Sequence, residues 1–151
     1  MDISPFELEC LEEDQHGPVR TTLLSLKYCG AERHIQHFSL TEDLAGMTSD
    51  EKISSILDIY EKSKKWMQKQ TEKKAPITVH CLEGTEWTGL YCTLSNLFDQ
   101  MNEDQEVDVF HAVGQLRLAR TQFIPTFKQY EMIYDMLALY IEKFNLYSNF
   151  Q

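Results

Sequence analysis

Val79-His80-Cys81-Leu82-Glu83-Gly84-Thr85-Glu86-Trp87-Thr88-Gly89 is the stretch on which the reading of this chain turns. Ile77 to His80 is a short β-rich run, too short for a helix, and its composition predicts a buried central strand. Cys81 to Thr88 reads as a tight loop around Gly84, and a helix opens at Thr88-Gly89 with Leu90, Leu94, Leu97 and Phe98 on one face. Successive backbone N–H groups in such a loop form a concave nest, to which the helix N-terminus adds its positive dipole end. A cysteine at the base of that nest has its thiolate stabilised and its pKa lowered.

Upstream, Val19 to Tyr28 is rich in β-branched and aliphatic residues, Cys29-Gly30-Ala31-Glu32 reads as a turn, and Arg33 to Phe38 as a second strand. Together they predict an antiparallel hairpin. Ser39 to Met47 looks irregular. Thr48-Ser49-Asp50 then supplies cap residues for a helix whose apolar positions Ile53, Ile56, Leu57 and Tyr60 reach Trp66 and Met67, ending at Lys73-Lys74-Ala75-Pro76. Downstream of the loop, a third helix carries Val109, Phe110, Val113 and Leu116. A last one, from about Thr126, carries Tyr130, Tyr134, Leu137, Ile141 and Phe144, and its aromatic residues are expected in the core. Strands followed by helices give an α/β (α+β) domain with a small mixed β-sheet, read as one unit over residues 1–151.

Composition narrows the function classes. The 151 residues hold 14 Lys+Arg against 24 Asp+Glu, for a formal charge of −10, which disfavours a nucleic-acid binder that draws affinity from phosphate contacts. The basic cluster Lys62, Lys64, Lys65, Lys69, Lys73 and Lys74 is diluted by Glu61 and Glu72 and reads as a solvated helix face. No run approaches the roughly 18 apolar residues of a membrane span, and Met1 to Glu7 has no basic-then-apolar signal pattern, so the expected location is the cytoplasm or nucleus. Cys10, Cys29, Cys81 and Cys92 are widely spaced, which fits free thiols in a reducing compartment. His16, His34, His37 and His111 show no ligand spacing, and no metal or cofactor is expected.

Val79-His80-Cys81, followed after Leu82 to Glu86 by Trp87-Thr88-Gly89, resembles the signature loop of the protein tyrosine phosphatases, H-C-x5-R-[ST]-G. Val107-Asp108-Val109-Phe110 with Val113, Leu116, Arg117 and Arg120 is similar to that family's helix after the loop. Thr126, Gln129-Tyr130 and Tyr134-Asp135 resemble its next helix, and Glu32 to Phe38 resembles the strand feeding its mobile acid loop. The match is strongest over residues 19–140. Thr88-Gly89-Leu90-Tyr91-Cys92 and Leu97 resemble the catalytically degenerate second domain of leukocyte-type receptor phosphatases. The resemblance implies a truncated phosphatase-like core that starts midway through the family's domain, so that surface otherwise interior must be repacked, covered or used for association.

The departures from the family pattern are concentrated at the site. Trp87 stands where the family has the arginine whose planar fork binds two phosphate oxygens. Losing one charge-assisted bond costs roughly 1.5–3 kcal/mol, before any loss of transition-state stabilisation. Glu83 and Glu86 add carboxylates to the loop; at about 6 Å and an effective dielectric of about 20, each would repel a unit anion by roughly 3 kcal/mol. The family's Trp-Pro-Asp acid loop is here Thr41-Glu42-Asp43, leaving Asp43 as a vestigial general acid or simply a turn residue. Pro125 replaces the glutamine that orients water.

The expected function is therefore a pseudophosphatase: not an enzyme, but an acidic regulatory scaffold for protein partners or for self-association. The alternative is a weakly active phosphatase or a redox-sensitive thiol protein using Cys81. By residue type alone Cys81 reads either as a structural thiol or as a nucleophile, and His80 either as a bonded structural histidine or as a group that tunes it. The degenerate site comprises His80, Cys81, Glu83, Gly84, Glu86, Trp87, Thr88 and Gly89. Tyr140, Phe144, Leu146, Tyr147 and Phe150 on the last helix and tail, with the edge of the Val19–Phe38 hairpin, are the expected contact surfaces.

Overall fold

Three strands lead the chain and four helices follow. The computed structural model describes residues 4–41, 46–70 and 76–148, the last six of these for their backbone only. Where the sequence reads as one unit, the fold has two compact units, Met1–Lys74 and Ala75–Gln151.

The first unit is a β-meander with a helix. Strands β1 (Glu7–His16), β2 (Val19–Tyr28) and β3 (Ala31–Leu40) form an antiparallel sheet in the order β1-β2-β3. The predicted hairpin is present, with Tyr28 opposite Ala31 and Val19 opposite Leu40, so it runs further at its open end than Phe38. Its turn is Cys29-Gly30, with φ of +49° and +81°, the doubly left-handed pair that matches the twist of two-residue hairpins.

Strand β1 was not expected. Its sequence ELECLEEDQH is acidic and exposed throughout, so neither β propensity nor alternation announces it. It is held by its ladder to β2, with a bulge between Cys10 and Glu12. Because β1 takes one side of β2, the hairpin's own open edge is that of β3. The carboxylates of β1 set like charges against each other in any pairing of two β1 edges, which disfavours self-association there.

Helix α1 (Ser49–Lys69) packs on β2 and β3. Ile53, Ile56, Leu57 and Tyr60 are its buried stripe, at the spacing the sequence predicts. Thr48 is the N-cap: Glu51 N–H donates to its hydroxyl at 3.3 Å, and Thr48 N–H donates back to the Glu51 carboxylate at 2.8 Å. Of the basic cluster, Lys65 and Lys69 are exposed and Lys62 and Lys64 half-buried, with Lys62 paired to Asp58 at 2.7 Å, and Lys73 and Lys74 lie outside the described residues.

The second unit is helical. Helix α2 (Glu86–Asp104) contacts α3 (Val109–Ala119) and α4 (Phe127–Ser148). Its Leu90, Leu94, Leu97 and Phe98 are essentially inaccessible, and with Val113, Ile133, Met136 and Leu137 they form the core. Each such aliphatic side chain contributes roughly 1.5–3 kcal/mol on burial. Asp108 caps α3 by accepting from His111 N–H at 2.8 Å.

Two helix faces differ from expectation. Phe110 is 79% exposed while Ala112 and Val113 are buried, so α3 turns its small residues to α2. Tyr134 is 50% exposed, and Met132, Ile133, Met136 and Leu137 fill the core in place of the tyrosines. Tyr140 is the exception, stacked on Phe98 at 4.2 Å with its hydroxyl donating to Asn102 at 3.0 Å. The Ile77–His80 run corrects another expectation. Residues 76–80 carry no strand pairing and are mostly exposed. A central strand exists only by its ladders on both sides, and this run has none, so the α+β class holds with a wholly antiparallel sheet in place of a mixed one.

Thr48→Ala should destabilise the protein by about 1 kcal/mol in urea unfolding at neutral pH. The Glu51 carboxyl is held below its ordinary 4.5 first by the Thr48 backbone N–H and then by its hydroxyl. A depressed acid stabilises fully above its ordinary value and loses that contribution as pH falls through the lowered one. The penalty of Thr48→Ala should accordingly shrink at acid pH.

Candidate functional site

The loop Cys81–Thr85 bends sharply into α2 without any regular pairing. Gly84 lies in the left-handed region at φ +66°, which an L side chain adopts only with strain. Thr85 is the N-cap of α2, yet its side chain makes no cap hydrogen bond. The orphan N–H groups of the first turn therefore need another acceptor. The backbone N–H groups of Thr88, Thr85 and Gly84 lie where they lower the pKa of the Cys81 thiol. Thr88 is the third residue of the helix counted from its cap, the position an ordinary N-cap oxygen serves.

The electrostatics follow from that geometry. Desolvation pushes the Cys81 thiol up, but the Thr88 hydroxyl and the three backbone N–H groups outweigh it and bring the pKa from 9.0 to about 7. The Thr88 hydroxyl is 8% exposed as a residue and has no well-aligned hydrogen-bond partner; its dipole acts on the sulfur. Cys92, further along α2, behaves oppositely, since burial pushes its thiol up. All four cysteines are free thiols.

The loop is fastened from α3 and the turn after it. Arg120, at the C-cap of α3, donates from Nη2 to the Glu83 carbonyl at 3.4 Å. A β-carbon on Gly84 would stand 3.2 Å from Arg120 Nη1. On the other side, a β-carbon on Gly89 would meet Phe123 at 2.9–3.0 Å from its Cβ, Cγ and Cδ1, at the root of the side chain. These are the site residues that sequence reasoning missed. Arg120 is 37 positions from Glu83, and nothing in local spacing announces such a contact.

The other expected site residues fall out as follows. Glu83, Glu86 and His80 are exposed, Trp87 is half-buried, and Thr88 and Gly89 are buried. Glu86 sits in the first turn of α2, where the dipole favours its carboxylate. Exposure lets water screen Glu83 and Glu86 well below the low-dielectric repulsion, so the replacement of arginine by Trp87 is the larger change. Pro125 lies exposed in the turn between α3 and α4, after Ile124, whose φ of +51° is strained for a β-branched residue. Asp43 and Phe150, and the side chains of Phe144, Leu146 and Tyr147, lie outside the described residues. Among the described residues no cluster of His, Cys, Asp and Glu could hold a metal ion, and no helix is long and apolar enough to cross a membrane.

The family model described as protein-tyrosine phosphatase matches residues 1–139. The chain is 34% identical to human receptor-type tyrosine-protein phosphatase alpha over 147 residues, 96% of this chain and 18% of that relative. It is 39% identical to rat receptor-type tyrosine-protein phosphatase epsilon over 84 residues, 56% of this chain and 12% of the relative. With human receptor-type tyrosine-protein phosphatase C it shares 39% identity over 66 residues, 44% of this chain and 5% of the relative. The chain thus spans less than a fifth of the length of these relatives.

Two outcomes are expected of the loop. Thr88→Val removes the hydroxyl and should move the Cys81 alkylation midpoint upward from about 7, read from iodoacetamide rates against pH. Gly89→Ala should lower stability by about 1–3 kcal/mol in urea unfolding, because overpacking against Phe123 exceeds the roughly 1 kcal/mol gained in helix propensity.

Proposed function

The chain belongs to the protein-tyrosine phosphatase family, and from that premise we propose that it is a catalytically silent member serving as a protein–protein interaction and scaffold module, within a homo-oligomer or larger complex. The reading rests on Trp87. In the family pattern that position holds the arginine that clamps two phosphoryl oxygens and follows their charge into the transition state. An indole offers one neutral donor and more bulk at the second residue of α2. Removing a single preorganised donor of this kind costs about 10²–10³ in rate, and the fork supplies more than one.

Further support comes from the surroundings. Pro125 offers no side-chain amide to orient an attacking water. Glu83 and Glu86 lay negative charge around the nest instead of positive. Phe110 and Leu118, each 79% exposed, are about two turns apart on α3, and Phe127 at the start of α4 is 73% exposed. Large apolar side chains left in water are what a partner surface would cover.

A second reading has one specific observation in its favour, the Cys81 pKa of about 7. A thiol half-ionised near neutrality is a competent nucleophile toward electrophiles and oxidants. On that reading the chain is a slow phosphatase or a redox-responsive thiol protein.

Hydrolysis of para-nitrophenyl phosphate separates the two. Turnover should not exceed that of Cys81→Ser, and Trp87→Arg alone should leave it at that background because Pro125 and the two glutamates remain. Activity lost in Cys81→Ser would overturn the silent reading. Sedimentation equilibrium tests the scaffold part, with a self-associated species or a stable partner complex expected. A strictly monomeric chain that engages no partner would contradict it.

A further inference from the structure

We propose that the outer face of α3 is a self-complementary docking surface, on which a second copy of this chain lays its own α3, antiparallel and crossing at Gly114. Phe110, Gly114 and Leu118 recur at intervals of four in α3 and so form one ridge along the helix. Phe110 and Leu118 are among the most exposed apolar side chains of the described residues, and Gly114 between them is exposed as well. A glycine inside a helix costs stability against alanine. Gly89 in α2 has a reason within the chain, because Phe123 fills the space of a β-carbon there. Gly114 has none among the described residues, since a β-carbon on it would meet nothing within 4 Å. What such a glycine permits is the close approach of a backbone from outside.

Symmetry and charge identify the occupant. A two-fold axis through Gly114 sets Phe110 of each copy against Leu118 of the other, so one ridge serves both as knob and as groove. The same arrangement brings Asp108, the N-cap of α3, to the end of the other copy's helix, where Arg117 and Arg120 lie. Each guanidinium gives one hydrogen bond within the chain, Arg117 to the Ile124 carbonyl and Arg120 to that of Glu83, and has donors left over. The two helix dipoles run in opposite directions, each positive start beside a negative end. Val109–Ala119 contains no carboxylate, so a chain of formal charge −10 meets its copy there with less repulsion than along the acidic β1. Phe110 and Leu118 stand about 12 Å apart along the axis. So short a seam fits a transient interface, with a Kd of roughly 10–100 μM. The inference rests on the scaffold reading and gives its self-association a surface.

Sedimentation equilibrium of the full chain and its variants is the test, with cooperative melting as the check on folding. Phe110→Glu and Leu118→Lys should each weaken self-association about tenfold or more. An equimolar mixture of the two should return to within about threefold of the unaltered chain, because the introduced carboxylate of one copy then faces the introduced ammonium of the other. Gly114→Gln should raise the melting temperature by about 2–4 °C, measured below the association midpoint, through helix propensity. It should nonetheless weaken association about tenfold, a separation of readouts that a glycine with a role only inside the chain would not give. Three outcomes overturn the proposal: a chain monomeric up to about 1 mM, association indifferent to Phe110→Glu and Gly114→Gln, or single variants that lose association and do not recover when mixed. The first leaves the scaffold reading to complexes with other proteins, and the second leaves it to another surface. The third places a different part of the second copy against α3.

Discussion

The rest of the second unit's site depends on how the start of α2 meets one sulfur, whose pKa the N–H groups of Gly84, Thr85 and Thr88 lower. The first turn of any helix presents N–H groups that need partners, and here the N-cap side chain of Thr85 declines the role. Beside it the chain reverses at Gly84, and the helix lies close against Phe123 at Gly89. Those two glycines, the thiol and the Thr88 hydroxyl form one constraint. The N–H groups and the hydroxyl together lower the pKa of the sulfur.

That constraint separates what the loop keeps from what it lacks. A thiolate is a monoanion with one centre, and three N–H groups and a hydroxyl serve it well. A phosphoryl group needs several directed donors and positive charge around its oxygens, and in the family pattern the arginine fork provides them. On the proposed reading, Trp87 leaves the first function standing and withdraws the second. The exposed glutamates reinforce the same sign, although screening makes them the smaller influence.

Much of this was legible in the residues, and the failures have physical causes. The cap of α1 at Thr48–Asp50, the buried stripe of α1 and the hairpin read from Val19 to Phe38 follow from local chemistry that acts within a few residues. So does the lowered thiol pKa, because a cysteine before a glycine turn and a helix start has few other surroundings. Strand β1 was invisible because acidic residues carry it and only the ladder to β2 holds it. Ile77–His80 failed in the opposite sense, having strand composition with no ladder. The exposed Phe110 and Tyr134, beside the buried Val113 and Leu137, show that apolar spacing gives a period, while the neighbouring helix decides which residues of that period are buried. Arg120 could not have been placed on the loop from sequence, since its contact spans 37 positions.

The proposed reading has a nest that stabilises its own sulfur and does not hold an oxyanion. Titration of the full chain with tungstate, followed by calorimetry at neutral pH with Cys81→Ser alongside, addresses that directly. The account predicts no saturable heat for either protein up to about millimolar tungstate, where a K_d of about 1 mM corresponds to roughly −4 kcal/mol. Micromolar binding to the loop would contradict it.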